Sequence, residues 1–276
     1  MSNNNDLLNF FKNSKYYSLK FKNYFPIYEK LFSKFRGKKI TFVEIGVLSG
    51  GSLFMWKKYF GNDARIIGIE LNPEAKKFEK EGFEIFIGNQ SDEGFWKDFF
   101  KKVGEVDIIL DDGGHTNFQQ IVTCCSCIPF IKDNGLMVVE DVFHSYGLSY
   151  GAKGFFNPSK YSFINFCKKS IDDINFRFPD SKKFKFSLNK FIYSVEFYES
   201  IVAFNINKYL CSSNNEVIFS NGKNLDHKDY AHLHNKDIPG SNKFVLEVKK
   251  FLKSFRGNLK YFVFKINEHI SKKYFK

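Results

Sequence analysis

"KITFVEIGVLSGGSLFMWKKYFGNDARIIGIEL", residues 39–71, decides the fold. A β-rich apolar run, KITFVEIG, stops at a glycine-rich turn; the helical pattern SLFMWKKYF follows, and a second apolar run, RIIGIEL, closes the unit. Near-continuous apolar runs read as strands covered on both faces. Strand, helix and strand at this spacing predict parallel strands joined by a crossover helix.

Outward from this unit the alternation continues to about residue 140. FEIFIG, VDIILDD and GLMVVED supply further strands, with helical patterns PEAKKFEKEG, DEGFWKDFFKKV and NFQQIVTCCSCIPFIKDNG between them. After residue 141, FFNPSKYSFINFCKKSIDD reads as a loop followed by a helix. FIYSVEFYESIVAFNIN then gives two apolar runs split by YES, the pattern of an antiparallel hairpin. The expected architecture is α/β, a Rossmann-like doubly wound sheet of seven strands, the last antiparallel, with helices on both faces. Residues 1–37 read as an N-terminal helical segment, 38–207 as the sheet domain, and 208–276 as a polar loop and a basic amphipathic tail.

A chain of 276 residues with 43% hydrophobic content buries a substantial core. Its opening, MSNNNDLLNFFKNSKYYS, lacks the basic start and apolar run of a secretory signal, and no apolar stretch of about 18 residues occurs, so a cytoplasmic location is expected. The five cysteines, at 124, 125, 127, 167 and 211, are odd in number and read as reduced. No second Cys or His pair stands at a zinc-finger distance from the 124–127 cluster, which reads as small buried helix residues.

The net charge is +12, but residues 242–276 hold ten Lys or Arg against Glu247 and Glu268, a local net of +8 that leaves +4 for the rest. Apolar residues at 244, 248, 251, 252, 255, 259, 262 and 266 make this tail a basic amphipathic helix. Packing on the body or on another subunit of a homo-oligomer is expected of it; peripheral membrane contact is the alternative. The polar stretch 211–242, with His227, His232 and His234, reads as a solvated loop.

Ligands of such sheets bind beyond the carboxyl ends of the strands. The first strand ends in VEIGVLSGGS, where Gly46, Gly50 and Gly51 allow a tight turn and close approach of a ligand, and Glu44 is an acid at the end of a hydrophobic run. This spacing is neither the G-x-G-x-x-G fingerprint nor a Walker loop. The second strand ends in GIELNP, placing Glu70 where an acid accepts hydrogen bonds from two ribose hydroxyls. The third ends in GNQSD, a turn suited to an adenine edge. The fourth and fifth strand ends bring Asp111, Asp112, His115, Glu140 and Asp141 together. Carboxylates this close raise one another's pKa unless a cation holds them ionised, and an all-oxygen set without thiolate suits Mg²⁺ or Mn²⁺.

In that order, Glu44 with a glycine loop, Glu70 and GNQSD resemble the class I S-adenosylmethionine-dependent methyltransferases over residues 38–207. GNQSD, DDGGH and VEDVFHSY further resemble the macrolide-sugar O-methyltransferase and cephalosporin-hydroxylase-like branch, whose members tend to show GDQSD, DDGSH and VEDLHTSY. Here Asn89 replaces an acid, Gly114 a serine, and the spacing differs at His144. The resemblance implies S-adenosylmethionine as cofactor, with Glu44, Gly46, Ser49, Gly50, Ser52, Glu70, Asn89, Gln90, Ser91 and Asp111 around it. It assigns Mg²⁺ to Asp112, Glu140 and Asp141 and proton abstraction to His115; His144, close to the same strand end, is expected either to contact the acceptor or to support the residues that do. Tyr146 and the following GLSYGAKGFF are expected to form a lid over the site.

The implied reaction is methylation of a sugar hydroxyl, and vicinal diols suit a metal-assisted mechanism. The Lys, Phe, Asn and Ile bias suggests an AT-rich bacterial genome. That favours a surface glycan over a macrolide, and the basic charge of the protein suits a nucleotide-linked sugar or a capsule or lipopolysaccharide glycan as acceptor. A nucleic-acid amino-methylase is disfavoured because DDGGH is not the Asn/Asp-Pro-Pro-aromatic motif such enzymes carry at the fourth strand. The competing readings are a methyltransferase-fold protein that binds polyanions through its basic tail, and a metal-dependent hydroxylase-like enzyme.

Overall fold

The structure is a computed structural model that describes residues 6–147, 158–175, 177, 187–212, 218 and 220–222. Residues 1–216 form one compact unit and 217–276 a second. The expected tail helix, the histidines of the 211–242 stretch and the lid segment after Gly147 lie outside the described residues.

Seven strands form one sheet: β1 (Thr41–Ile45), β2 (Arg65–Glu70), β3 (Glu84–Ile87), β4 (Val106–Asp111), β5 (Ile131–Val139), β6 (Ile192–Tyr198) and β7 (Ile201–Ile206). Their order is β3-β2-β1-β4-β5-β7-β6. The first five strands run parallel, and β7 runs antiparallel to both β5 and β6. The chain adds β2 and β3 on one side of β1 and β4 and β5 on the other, so the strand order reverses at β1 and the crevice at the carboxyl ends of β1 and β4 is the topological switch point.

Side chains on a strand alternate between faces, and that alternation sorts the core into two layers. Phe42, Ile66, Ile108, Leu110, Leu136 and Val138 pack on one face with α1 (Asp6–Lys12), α2 (Tyr24–Phe32) and α3 (Gly51–Phe60). Val43, Ile67, Ile69, Ile109, Met137 and Val139 pack on the other with α4 (Glu93–Val103), α5 (Asn117–Cys127) and α6 (Phe163–Asn175). The N-terminal helices thus share a core with the sheet, burying Leu7, Tyr24, Phe25, Tyr28, Leu31 and Phe32.

Local chemistry sets the helix limits. Asp92 caps α4 by accepting from the Gly94 amide at 2.8 Å, and Thr116 with Gln119 forms a capping box on α5. The helix expected over 117–135 is shorter: α5 ends at Cys127, a 3₁₀ turn spans Ile128–Phe130, and β5 starts at Ile131. Pro129 lacks the amide a continuing helix needs, and Asn134 at φ +65° beside Gly135 bends the start of β5. A final short helix, α7 (Lys208–Ser212), follows β7. All five cysteines are free thiols, and Cys124, Cys127 and Cys167 are buried. Among the described residues no helix is long and apolar enough to cross a membrane.

Candidate active site

A cleft of about 540 Å³ opens at the switch point. Gly46, Val47, Glu70, Asn89, Gln90, Asp112, Gly113, His115 and Asp141 line it from the sheet side, and Ser18 to Phe21 with Tyr24 close it from the N-terminal side.

Gly46 stands at φ +89°, and a Cβ there would meet the Asp112 carbonyl oxygen at 2.1 Å, so only glycine lets the first and fourth strand ends approach. Glu70 accepts from the amides of Val47 at 2.9 Å, Leu48 at 3.0 Å, Leu71 at 2.8 Å and Asn72 at 3.1 Å. Burial alone would push its pKa up, but the four amides outweigh it and hold the carboxyl below its ordinary value. Gln90 ties two loops together. Its Nε2 donates to Asp111 Oδ1 at 2.9 Å, and its Oε1 accepts from the Gly114 amide at 2.7 Å.

Five residues expected around the cofactor, Gly46, Ser52, Glu70, Asn89 and Gln90, line the cleft; Glu44, Ser49, Gly50, Ser91 and Asp111 do not. Strand parity explains two of these. Glu44 points with Phe42 into the layer of α3 and the N-terminal helices, where Ser52 donates to it at 2.7 Å and Trp56 Nε1 at 3.0 Å. Asp111 points into the opposite layer, where burial raises its carboxyl to about 6 and leaves Oδ2 without a hydrogen bond. Ser49 is exposed. Gly50 backs onto the Phe78 ring, and Ser91 turns back to Asn89 Oδ1 through its amide and hydroxyl.

Asp112, His115 and Asp141 meet at one spot, each offering a ligand atom within 4.8 Å of the others. His115 Nε2 lies 3.4 Å from Asp141 Oδ2 and 3.9 Å from Asp112 Oδ1. Both His115 and Asp141 sit at φ +56°, a left-handed conformation uncommon for side-chain-bearing residues and one that gathers at functional sites. His115 Nδ1 is buried without a hydrogen-bond partner. The His144 ring lies alongside, its centroid 5.5 Å from that of His115; burial and the neighbouring imidazole lower its pKa. His144 itself is not a lining residue of the cleft.

Glu140 is placed differently from the other expected metal ligands. Its side chain is 1% exposed and faces Lys20, whose Nζ lies 3.0 Å from both carboxylate oxygens; Tyr28 Oη donates to Oε1 at 2.5 Å. Lys20 also donates to Asp112 Oδ2 at 2.6 Å and stands 3.6 Å from Glu44 Oε1. Burial alone would lower the pKa of Lys20; the carboxylates of Asp112, Glu140 and Glu44 together raise it well above its ordinary value, so the ammonium stays charged. Glu140, deeply buried and close to Asp112, is pushed up. Tyr24 Oη donates to Asp141 Oδ1 at 2.5 Å.

Lys20, Tyr24 and Tyr28 escape the sequence reading. The signal was YYSLKFKNYFPIY, where lysines and tyrosines recur within an apolar run just ahead of the sheet.

Three carboxylates, Glu44, Asp112 and Glu140, face the ammonium of Lys20, and a fourth, Asp141, stands beside His115. This excess of negative charge and the hard oxygen donors fit a divalent cation between Asp112 and Asp141, beside His115.

No family model matches the chain. A rhamnosyl tetracenomycin-C 2'-O-methyltransferase of Streptomyces olivaceus is 30% identical over 159 residues, 55% of this chain and 41% of that protein. The solved MycE methyltransferase of the mycinamycin pathway, in complex with Mg and SAH, matches with a TM-score of 0.59 at 25% identity, covering 66% of this chain and 48% of that one. The chain resembles the macrolide-sugar branch of the class I methyltransferases. Mycinamicin VI 2''-O-methyltransferase of Micromonospora griseorubida, 28% identical over 54% of this chain and 40% of its own, belongs to the same set. The chain spans about two fifths of the length of the curated relatives it matches. The Rossmann-like sheet with its antiparallel seventh strand agrees with this likeness.

Proposed function

We propose that this protein is an S-adenosylmethionine- and Mg²⁺-dependent O-methyltransferase acting on a sugar hydroxyl. The observation that carries the reading is the meeting of Asp112, His115 and Asp141 at the end of a cleft that also holds Glu70 and Gly46. The likeness to sugar O-methyltransferases, one of them solved with Mg and SAH, supports it.

In this reading Glu70, kept ionised by its four amides, accepts from the ribose hydroxyls of the cofactor, and the bare backbone at Gly46 admits the rest of it. Asp112 and Asp141 hold the cation; when bound, such an ion supplies positive charge that acidifies a neighbouring hydroxyl. His115 takes the hydroxyl proton as the sugar oxygen attacks the sulfonium methyl in line. One C–O bond forms, the S–CH₃ bond breaks, the sulfur keeps the electron pair, and the proton rests on the imidazole. Orientation by these groups supplies much of the acceleration. A nucleotide-linked sugar or a bacterial surface glycan is the acceptor in this reading, in keeping with the net charge of +12 and the Lys, Phe, Asn and Ile bias of the chain.

Calorimetry of the full chain with S-adenosylhomocysteine tests the cofactor. Saturable heat is expected, and none at high protein concentration would remove the reading. Turnover on a sugar acceptor is expected to vanish with EDTA and return with Mg²⁺; turnover indifferent to EDTA would leave the transferase and remove the metal.

A further inference from the structure

Beside the cleft, and sharing Phe21 and Tyr24 with it, lies a second hollow of about 740 Å³. Three elements meet around it: the start of α2 with the residues just before it, the 3₁₀ turn Val142–Tyr146 that follows β5, and the turn between β6 and β7 at Glu199 and Ser200. The Val142 amide donates to the Ser200 carbonyl at 3.1 Å and the Phe143 amide to Ser200 Oγ at 3.4 Å, which fixes the second element on the third. Asn23 Nδ2 donates to Glu199 Oε2 at 3.0 Å and ties the first to the third. On this frame two phenylalanines stand out into solvent, Phe21 52% and Phe143 45% exposed, with ring centroids 6.1 Å apart and planes at 82°. One exposed Phe is ordinary; two in contact at the mouth of a cleft make the kind of apolar patch that marks a ligand surface.

The pair also continues a line of rings into the site. The Phe143 centroid lies 4.2 Å from that of His144, and His144 lies 5.5 Å from His115. The chain departs from the branch motif VEDLHTSY here: where the motif has His, VEDVFHSY has Phe143. Aromatic faces are negative and receive the slightly positive C–H groups on one side of a sugar ring, while the remaining oxygens of the Asn23–Glu199 pair accept from its hydroxyls. The charged residues lining the hollow, Lys22 and Glu199, cancel, and a diphosphate placed there would meet the Glu199 carboxylate. We infer that this hollow is a second sugar subsite, and that the acceptor is a glycan of at least two residues: the ring to be methylated lies at His115, and the next, uncharged ring lies on Phe21 and Phe143. The inference rests on the sugar-methyltransferase reading above and narrows it, selecting the glycan over the nucleotide-linked sugar.

Binding of the full chain to a printed array tests this, with S-adenosylhomocysteine and Mg²⁺ present and salt at about 0.5 M to screen the basic tail. The array carries uncharged bacterial surface glycans of two or more residues, their constituent monosaccharides and the matching nucleotide-linked sugars. At least one glycan is expected to bind about tenfold more tightly than its terminal monosaccharide and than the corresponding nucleotide-linked sugar. Phe143→Ala and Phe21→Ala should each lose about five- to tenfold of that affinity, whereas Phe143→Tyr, which keeps the ring, should retain it. Phe143→Ala is expected to bind S-adenosylhomocysteine as wild type does in calorimetry. Thermal melts report folding, and if Phe21→Ala does not fold, Phe143→Ala carries the test. Monosaccharides or nucleotide-linked sugars bound as tightly as any glycan would overturn the inference, as would a folded Phe143→Ala with full glycan affinity. An array that retains no glycan would overturn it too. In that case heat with S-adenosylhomocysteine leaves the transferase reading standing, and its absence removes both.

Discussion

His115 is held in a left-handed conformation with Nε2 toward two carboxylates and Nδ1 buried without a hydrogen-bond partner, a cost the fold accepts only where neighbours fix the residue. His115→Ala is expected to lower turnover by about 10²- to 10⁴-fold while leaving S-adenosylhomocysteine affinity at the wild-type value; an equal loss in both would make the ring a binding group only. Glu70 gives a pH prediction. Its folded carboxyl lies below its ordinary value, so the stability it contributes is present above the ordinary carboxylate range and is lost as pH falls through the lower folded pKa. Wild type should therefore melt higher than Glu70→Gln near neutrality, with the gap closing as the solution is acidified toward pH ~3; a gap that widens on acidification would contradict the amide argument. Glu70, His115 and the Asp112 carboxylate were legible at this scale because each ends a strand or follows it directly. Glu140 was legible as an acid at the site, but not as the partner of Lys20, since that pairing joins residues 120 positions apart.

At the scale of elements, periodicity located all seven strands and the helical segments between them, although the one between β2 and β3, Pro73–Glu81, is a 3₁₀ helix rather than an α-helix. What it missed follows from parity. Positions 44, 112 and 140 continue the same face of β1, β4 and β5, so their acids project toward one layer, while 111 projects toward the other. Parity separated Asp111 from Asp112 in the sequence. It could not place Glu44 and Glu140 against Lys20, because that needs the N-terminal segment folded over the sheet. The β1 turn makes the element-level prediction. Gly82 and Gly46 share a left-handed φ, +88° and +89°, but a Cβ at Gly82 meets nothing within 4 Å. Gly82→Ala should cost about 1–2 kcal/mol from backbone strain alone. Gly46→Ala adds the 2.1 Å clash with the Asp112 carbonyl and should melt several degrees lower still, with S-adenosylhomocysteine binding lost. Equal melting temperatures for the two variants would show that the strand ends have room to part.

Across the whole molecule, charge is divided between cleft and tail. Glu44, Asp112 and Glu140 surround Lys20, and Asp141 lies beside His115, an excess of negative charge at the cleft that repels a phosphate backbone, whereas residues 242–276 carry +8 of the total +12. A nucleic-acid methylase would bring its polyanion to the catalytic carboxylates; this distribution points to an acceptor without a phosphate at the reacting hydroxyl, and leaves the tail as the polyanion-attracting part. The two roles separate in one truncation. A chain ending at residue 241 keeps every residue assigned to the cleft. It is expected to bind S-adenosylhomocysteine as the full chain does and to keep its EDTA-sensitive turnover, while eluting from heparin at clearly lower salt, since ten of the cations that release counterions are gone. Unchanged heparin retention would move the polyanion contact to the body and reopen a nucleic-acid substrate. Turnover lost with cofactor binding intact would instead make the tail part of acceptor recognition, because the donor and cation residues all lie before residue 142.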